Sequence, residues 1–361
     1  MSFPIRSLYF QVSVFLAVLF STGPLSGVLA NSSQSGCAPL EGASIRWVVP
    51  SRPGGGYDAY SRLLQPFLEQ NLDVQIRIDN RPEAGGVIGA QAIRDAVPDG
   101  KTLGLINASG LLAARAIEDG LAPDPTADFT ILGQVVSNQV VLFTGTASGF
   151  RDINDLLMAA ESRPIVAGVR DAGSTSLYSV PVTAELLGID YALVSGYVGS
   201  AARTMALIRG EVDIILGNFD SLQGQVQAGE LIPLLQLTAL LDGELDIPQL
   251  GGPEGMARHR AGVTGRTPQQ AEQAAGDLAV IVGAGRLVVA PKGLPVSLSD
   301  CLDTELGEIL QSAELSQAAD RAQLSIQYQN GATAHQSLMA GARGIDQFRG
   351  LISDAIRQAR E

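Results

Sequence analysis

Three glycine-rich turns, each set between a short apolar run and a helical pattern, constrain this chain more than any other feature. Ile45-Arg46-Trp47-Val48-Val49 is an apolar run that suits a buried strand; Pro53 and Gly54, Gly55 and Gly56 stop it. A helical face follows in Tyr60, Leu63, Leu64, Phe67 and Leu68, with Pro66 placed to kink or shorten it. Val74 to Ile78 reads as a second strand, and Ala84-Gly85-Gly86 leads into a helix near Val87 to Ala96. Thr102 to Ile106 is a third strand after the turn Pro98-Asp99-Gly100. Strand and helix in alternation specify a parallel α/β sheet.

The rhythm resumes after Gln134. Val135 to Phe143 reads as one long strand crossing between two lobes, Ile153 to Ala160 as a helix and Ile165 to Val169 as a strand. The third small-residue turn, Gly173-Ser174-Thr175-Ser176, precedes a helix over Val180 to Leu187. Tyr191 to Val194, Glu211 to Leu216 and Leu231 to Thr238 read as strands, with Ala201 to Ile208 helical. Leu241 to Gly276 is the least regular segment, Leu278 to Pro291 regains strand character despite Arg286, and the tail from Ser299 is helical. Leu302, Leu306 and Leu310 step by one helical turn.

The N-terminus reads as an export signal: Arg6 is its only charge, Leu8 to Phe20 is mostly apolar, and small residues lead to Ala30. That run is too short to span a bilayer comfortably. The expected organisation is a signal peptide over 1–30, a flexible lead-in over 31–43, one lobe from 44–139 with 237–361, and a second lobe over 140–236. The chain is then periplasmic. Cys37 and Cys301 are the only cysteines, and two readings stand: a disulfide suited to an oxidising compartment, or two idle thiols.

A net charge of −13, with only two lysines among 24 basic residues, speaks against nucleic acid and anionic membrane as partners. A bound carboxylate would rely on local groups. Glycine turns at strand ends provide them, because they leave helix-start N–H groups open in a region of positive dipole potential. Gly54, Gly55, Gly56, Tyr57 and Asp58 form the first such turn; Asn107 and Ser109 follow the third strand. A dinucleotide reading also fits, through Gly54-x-Gly56-x-x-Ala59 and Asp79 as a ribose acid, although Asp58 would repel a pyrophosphate. That alternative makes the chain an NAD(P)-type oxidoreductase. His259 and His335 are badly placed for catalysis or metal, and no triad elbow or metal-ligand cluster is present, so neither enzyme chemistry, metal nor cofactor is expected. Asp58, Asp171 and Asp220 are acids near turns, a place where caps are common.

Trp47-Val48-Val49-Pro50, Pro53 through Asp58 with Arg62, Asp79 through Gly89, and Pro98 through Leu103 together resemble the opening of the Bug receptors, the solute-binding proteins of tripartite tricarboxylate transporters. Weaker echoes are Gly210 to Asp213, Leu237-Thr238 and Ala290 to Pro295. The resemblance implies a two-lobed periplasmic-binding-protein fold, type II-like, with a ligand cleft between the lobes. It implies a monomeric receptor that captures a small carboxylate and delivers it to membrane subunits. It also assigns ligand contacts to Gly54–Asp58, to Ala84, Gly85 and Gly86, to Gly173, Ser174, Thr175 and Ser176, to Tyr197, Gly199 and Ser200, and to Asn218 and Asp220. The chain departs from the pattern with Ser51-Arg52 before the first glycines, Leu177-Tyr178 in place of a histidine, Ser195-Gly196 in a shortened run, and a long 241–277 segment. Arg52, at the end of the first strand, is a candidate bidentate contact for a ligand carboxylate or else a solvent-facing residue.

Overall fold

The structure is a computed structural model that describes residues 36–117, 122–170, 174–197, 199–238 and 246–360. The signal-peptide reading and the start of the lead-in lie outside the described residues. In β1, Ser44–Val49, the side chains of Ile45, Trp47, Val48 and Val49 are buried, as a central parallel strand covered on both faces requires. The helix α1, Gly56–Leu72, runs through Pro66 without shortening. Pro66 and Arg62, whose carbonyl loses its usual partner, are both exposed, so water can replace the missing bond.

The chain continues through β2 (Gln75–Asn80), α2 (Val87–Arg94), β3 (Thr102–Asn107), α3 (Ala108–Ile117) and β4 (Phe129–Val136). The expected long strand from Val135 to Phe143 is two strands. β4 ends at Val136, and β5, Val140–Gly145, belongs to another sheet. Both stretches are apolar because both are interior, so composition alone hides the break between them.

The second sheet is built from β5, β6 (Ile165–Gly168), β7 (Tyr191–Val194), β8 (Ile214–Asn218) and β9 (Leu231–Gln236), in the order β7-β6-β8-β5-β9. Its helices are α4 (Ile153–Ala160), α5 (Thr175–Leu187), α6 (Gly199–Ile208) and α7 (Phe219–Gln227). β8 begins three residues later than expected: the Asp213 carboxylate instead receives Arg163 and the Val166 N–H ahead of the strand.

The irregular segment holds α8 (Met256–His259) and then a 16-residue helix, α9 (Pro268–Gly283). Thr267 Oγ1 accepts the Gln270 N–H, and Gln270 Oε1 accepts the Thr267 N–H, which starts α9 at Pro268. Leu278 to Gly283 is therefore helix rather than strand, and only β10, Arg286–Pro291, is extended. The chain ends in α10 (Val296–Leu310), α11 (Ala313–Arg321), β11 (Gln329–Asn330), α12 (Gly331–Ile345) and α13 (Arg349–Arg360).

The first sheet has the order β11-β4-β10-β3-β1-β2, with β1 parallel to β2 and β3 and with β10 antiparallel to β3 and β4. Behind it, Leu302, Leu306 and Leu310 of α10 pack with Trp47 and Leu64, each buried side chain contributing about 1.5–3 kcal/mol. A disulfide joins Cys37 to Cys301, with Cα atoms 5.6 Å apart, and ties the lead-in to α10. The helix α13 packs on α5 and β7 of the second sheet as well as on α3.

Asn138 stitches the crossings between the sheets together. Its N–H reaches the Gly283 carbonyl at 3.2 Å, its Nδ2 the Val282 carbonyl at 3.0 Å, and its own carbonyl accepts Thr238 Oγ1 at 2.9 Å. Among the described residues no helix is long and apolar enough to cross a membrane.

Candidate functional site

The first glycine turn organises itself around a buried acid. Asp58, 2 % exposed, accepts the Gly54 N–H at 2.8 Å, Arg62 Nε at 2.8 Å and Asn80 Nδ2 at 3.0 Å, while Asn80 also reaches the Ser51 carbonyl. Burial alone would raise its pKa, but the bonds from Arg62, Gly54 and Asn80 outweigh burial and hold it below the ordinary carboxylate value. Gly54 sits at φ +78°, open to glycine at little cost, and Gly55 N–H closes the turn on the Arg52 carbonyl at 3.0 Å. No side chain caps α1, which leaves its first-turn N–H groups directed along the helix axis.

Arg286, the first residue of β10, reaches this helix start from the opposite side. A Cβ added to Gly56 would lie 3.2 Å from Arg286 Nη2 and 3.8 Å from Ser221 Oγ, so glycine keeps that space open. The guanidinium is 4.3 Å from the Tyr60 ring centroid and 5.4 Å from that of Tyr57. Its Nη2 is 3.7 Å from Asp220 Oδ2, whereas Nε and Nη1 are buried with no hydrogen-bond partner. Burial alone would lower its pKa; Asp220 first, then Tyr60 and Tyr57, reverse that and raise it. The Tyr60 hydroxyl donates either to the Ser325 carbonyl at 2.8 Å or to Asp220 Oδ2 at 3.1 Å. Burial pushes the phenols of Tyr57 and Tyr60 up, so both are neutral donors at physiological pH.

Two helices of the second sheet also start without a cap from the residue ahead of them, although in α7 the Phe219 N–H reaches the Gln139 carbonyl and the Ser221 N–H reaches Asp220 Oδ1. α5 follows Ser174 and α7 follows Asn218, and neither has a side-chain cap. By contrast α4, α9, α11 and α12 are capped by Asp152, Thr267, Ser312 and Asn330. Thr175 Oγ1 lies 3.4 Å from Ser109 Oγ, so the starts of α3 and α5 meet across the two sheets. Asn107 Oδ1 accepts Ser109 Oγ and the Gly110 N–H, which caps α3. The Tyr178 hydroxyl is buried beside Ser109 and Thr175 without a well-aligned hydrogen bond.

A family model described as a tripartite tricarboxylate transporter family receptor matches residues 61–242, just over half of the chain. The chain belongs to this receptor family. A UPF0065 protein from the tcbD–tcbE intergenic region of a Pseudomonas species is 28 % identical over 295 residues, covering 80 % of this chain and 79 % of the relative. Protein BugT of Bordetella pertussis is 26 % identical over 333 residues, covering 87 % of this chain and 86 % of its own. Among solved structures, an R. palustris protein with adipate has a TM-score of 0.66 at 21 % identity, covering 86 % of this chain and 97 % of that one. MatC of Rhodopseudomonas palustris with bound malate has a TM-score of 0.64 at 20 % identity, with coverages of 86 % and 99 %. These likenesses show the two-lobed α/β fold.

In the receptor, several expected site residues come together: Gly56 and Tyr57 beside Arg286, Asp220 opposite it, and Ser109 against Thr175. Ser174 and Ser176 share a hydroxyl contact of 3.2 Å, and Ser176 Oγ also accepts the Arg170 N–H. Asn218 Nδ2 leans on Asn138 Oδ1 at 3.4 Å, at the crossing. Asp58 is taken up by the turn itself. Arg52 is exposed, and its backbone carbonyl rather than its side chain serves the turn.

The turn Ala84-Gly85-Gly86 has φ values of 49°, 68° and 96° and packs on Pro50, whose Cβ would be 2.6 Å from a side chain at Gly86. Tyr197 rests on the apolar cluster around Phe143 and Leu207, with Glu211 and Arg209 as its nearest charges. Gly199 and Ser200 open α6, with Ser200 exposed. Gly173 and Asp171 lie outside the described residues. The acid required by the dinucleotide reading, Asp79, is held by Arg46 at 2.6 Å and Arg81 at 3.0 Å.

The sequence reading did not single out Arg286 or Tyr60, which the structure brings to the start of α1, nor the buried Arg203 of α6. Arg286 had a signal: one charge inside an apolar run is costly unless something nearby uses it. Tyr60 was read only as part of a helix face. Arg203 had no signal, since a basic residue in a small-residue helix is ordinarily solvated.

Proposed function

We propose that this receptor binds a small carboxylate outside the cytoplasm, in the cleft between lobes 44–139 with 237–361 and 140–236. It acts as a monomer and hands the acid, unaltered, to the membrane subunits of a tripartite transporter. The observation that carries the reading is the open start of α1 set beside Arg286, a buried cation with two unpartnered nitrogens. Open helix starts and a shielded guanidinium are complementary to a carboxylate, and both strengthen as water is excluded. Tyr57 and Tyr60 supply neutral aromatic walls beside the guanidinium. Two structural relatives hold adipate and malate, both small carboxylates. The residues proposed to contact the ligand are Gly56, Tyr57, Thr175, Asp220 and Arg286.

A thermal-shift panel of mono-, di- and tricarboxylates, sugars, amines and nucleotides tests this. A bound acid at a hundred times its Kd should stabilise the native state by about 2.7 kcal/mol. A response confined to sugars or amines would overturn the carboxylate reading, and one confined to nucleotides would favour the oxidoreductase.

A further inference from the structure

Among the described residues two guanidiniums are buried, and only one of them is paired with a described acid. Arg286 faces Asp220. Arg203, on α6, is 5 % exposed, and its Nε is sealed without a hydrogen-bond partner. No acid among the described residues forms an ion pair with it. Burial, and then the positive charge of Arg170, depress its pKa to about 9, so the fold holds the charged form at a cost.

The place of that charge is informative. The Cγ of Arg203 lies 3.3 Å from where a Cβ of Gly168 would stand, and its Nη2 lies 3.7 Å from the corresponding point at Gly217. Gly168 ends β6 and Gly217 is the penultimate residue of β8. The guanidinium thus lies across the carboxyl ends of two parallel strands, where open α/β sheets receive ligands, and both glycines make room for it. Arg170 lies just past β6; Tyr57, raised chiefly by its burial, also feels Arg286, Arg170 and Asp220. Arg170 thus lies within electrostatic reach of both Arg203 in the second sheet and Tyr57 at the start of α1.

We propose that Arg203 reads the charge at the far end of the ligand: it takes a second anionic group, so the receptor selects an acid ionised at both ends over the same skeleton with one end neutral. This rests on the carboxylate reading above and adds a residue that backbone turns alone do not provide. A peptide dipole accepts a neutral or an ionised oxygen, whereas an uncompensated guanidinium discriminates between them.

The experiment is calorimetric titration of the straight-chain diacids from succinate to suberate, each against its mono-amide, on the wild type and on Arg203→Met. The wild type should bind at least one diacid about tenfold or more tightly than its mono-amide, the scale of one charge-assisted hydrogen bond. Arg203→Met should erase that preference while leaving mono-amide affinity within about twofold. Its empty form should melt no lower than the wild type, because an unbalanced buried cation has been replaced by an apolar chain of similar length. Equal wild-type affinities for diacid and mono-amide would overturn the proposal, even if the variant failed to fold. So would a variant that weakens both alike or neither. Absence of binding by every acid would instead overturn the carboxylate reading, and the proposal with it.

Discussion

Asp220 and Arg286 face each other from different sheets, with 3.7 Å between Oδ2 and Nη2 and with both side chains almost wholly buried. The pair joins the first turn of α7 to the first residue of β10, and Tyr60 lies against both partners. It places a carboxylate beside the guanidinium that the proposed function gives to the ligand, so bound acid and Asp220 share one cation. Arg286 should therefore matter for both stability and binding.

Arg286→Met should lower stability by about 3–5 kcal/mol in urea melts near neutral pH, because Asp220 is left buried without its counter-charge. Adding Asp220→Asn should recover part of that loss, and strictly additive losses would show that the pair is not coupled. Carboxylate affinity should fall about tenfold or more in Arg286→Met, whereas Arg52→Ala, at an exposed position, should change it less than about threefold. A larger effect at Arg52 would move the anion site to the cleft mouth.

Asp58 makes stability depend on acid pH. Its folded pKa is depressed below the ordinary carboxylate value, by the bonds from Arg62, Gly54 and Asn80 that outweigh burial. Its contribution is complete above the unfolded value and is lost as pH falls through the folded one. Asp58→Ala should cost about 1–2 kcal/mol at pH 7, in the range of a lost cap, and the difference from wild type should shrink below pH 4. Melting curves at several pH values measure this; a pH-independent difference would assign the effect to packing.

Two glycines should respond in opposite senses. A Cβ at Gly285 would stand 1.7 Å from the Val136 carbonyl oxygen, so Gly285→Ala must displace backbone where the chain crosses between sheets. A loss of about 1–3 kcal/mol or more is expected. Gly276, inside α9, has nothing within 4 Å of the same point, and Gly276→Ala should stabilise by about 0.5–1 kcal/mol. Thermal denaturation of the two variants compares them directly.

The Cys37–Cys301 bridge closes a loop with a sequence separation of 264. On chain-entropy grounds its reduction should cost roughly 3–5 kcal/mol. Thiol titration of the denatured, unreduced protein should find no free cysteine; two would refute the bridge.

The lobe architecture was legible early because the signals behind it are local. The apolar runs at Trp47, Leu105 and Ile215 mark strands, and the glycines after the first of them mark a helix start. The same logic erred where locality ends. Val135 to Phe143 is uniformly apolar whether it is one strand or two, and Leu278 to Gly283 is equally apolar as helix or strand. In the first case strand pairing decides, since β4 bonds to β10 and β5 to β8 and β9. In the second, the Thr267–Gln270 cap fixes the helix.

By itself the sequence determined the α/β rhythm, the positions of the glycine turns and the family, all of which depend on residues close together along the chain. Only the tertiary structure decided which side chains are brought together. Asp58 and Asp220 look alike as acids near helix starts; one is enclosed by Gly54, Arg62 and Asn80, the other meets Arg286 from across the sheets. Arg52 and Arg203 are equally plain arginines in sequence, yet the first is exposed and the second buried. The electrostatic role of a charge is set by what surrounds it, and those surroundings are assembled from segments as distant as Gly56, Arg203 and Arg286. No local pattern encodes that assembly.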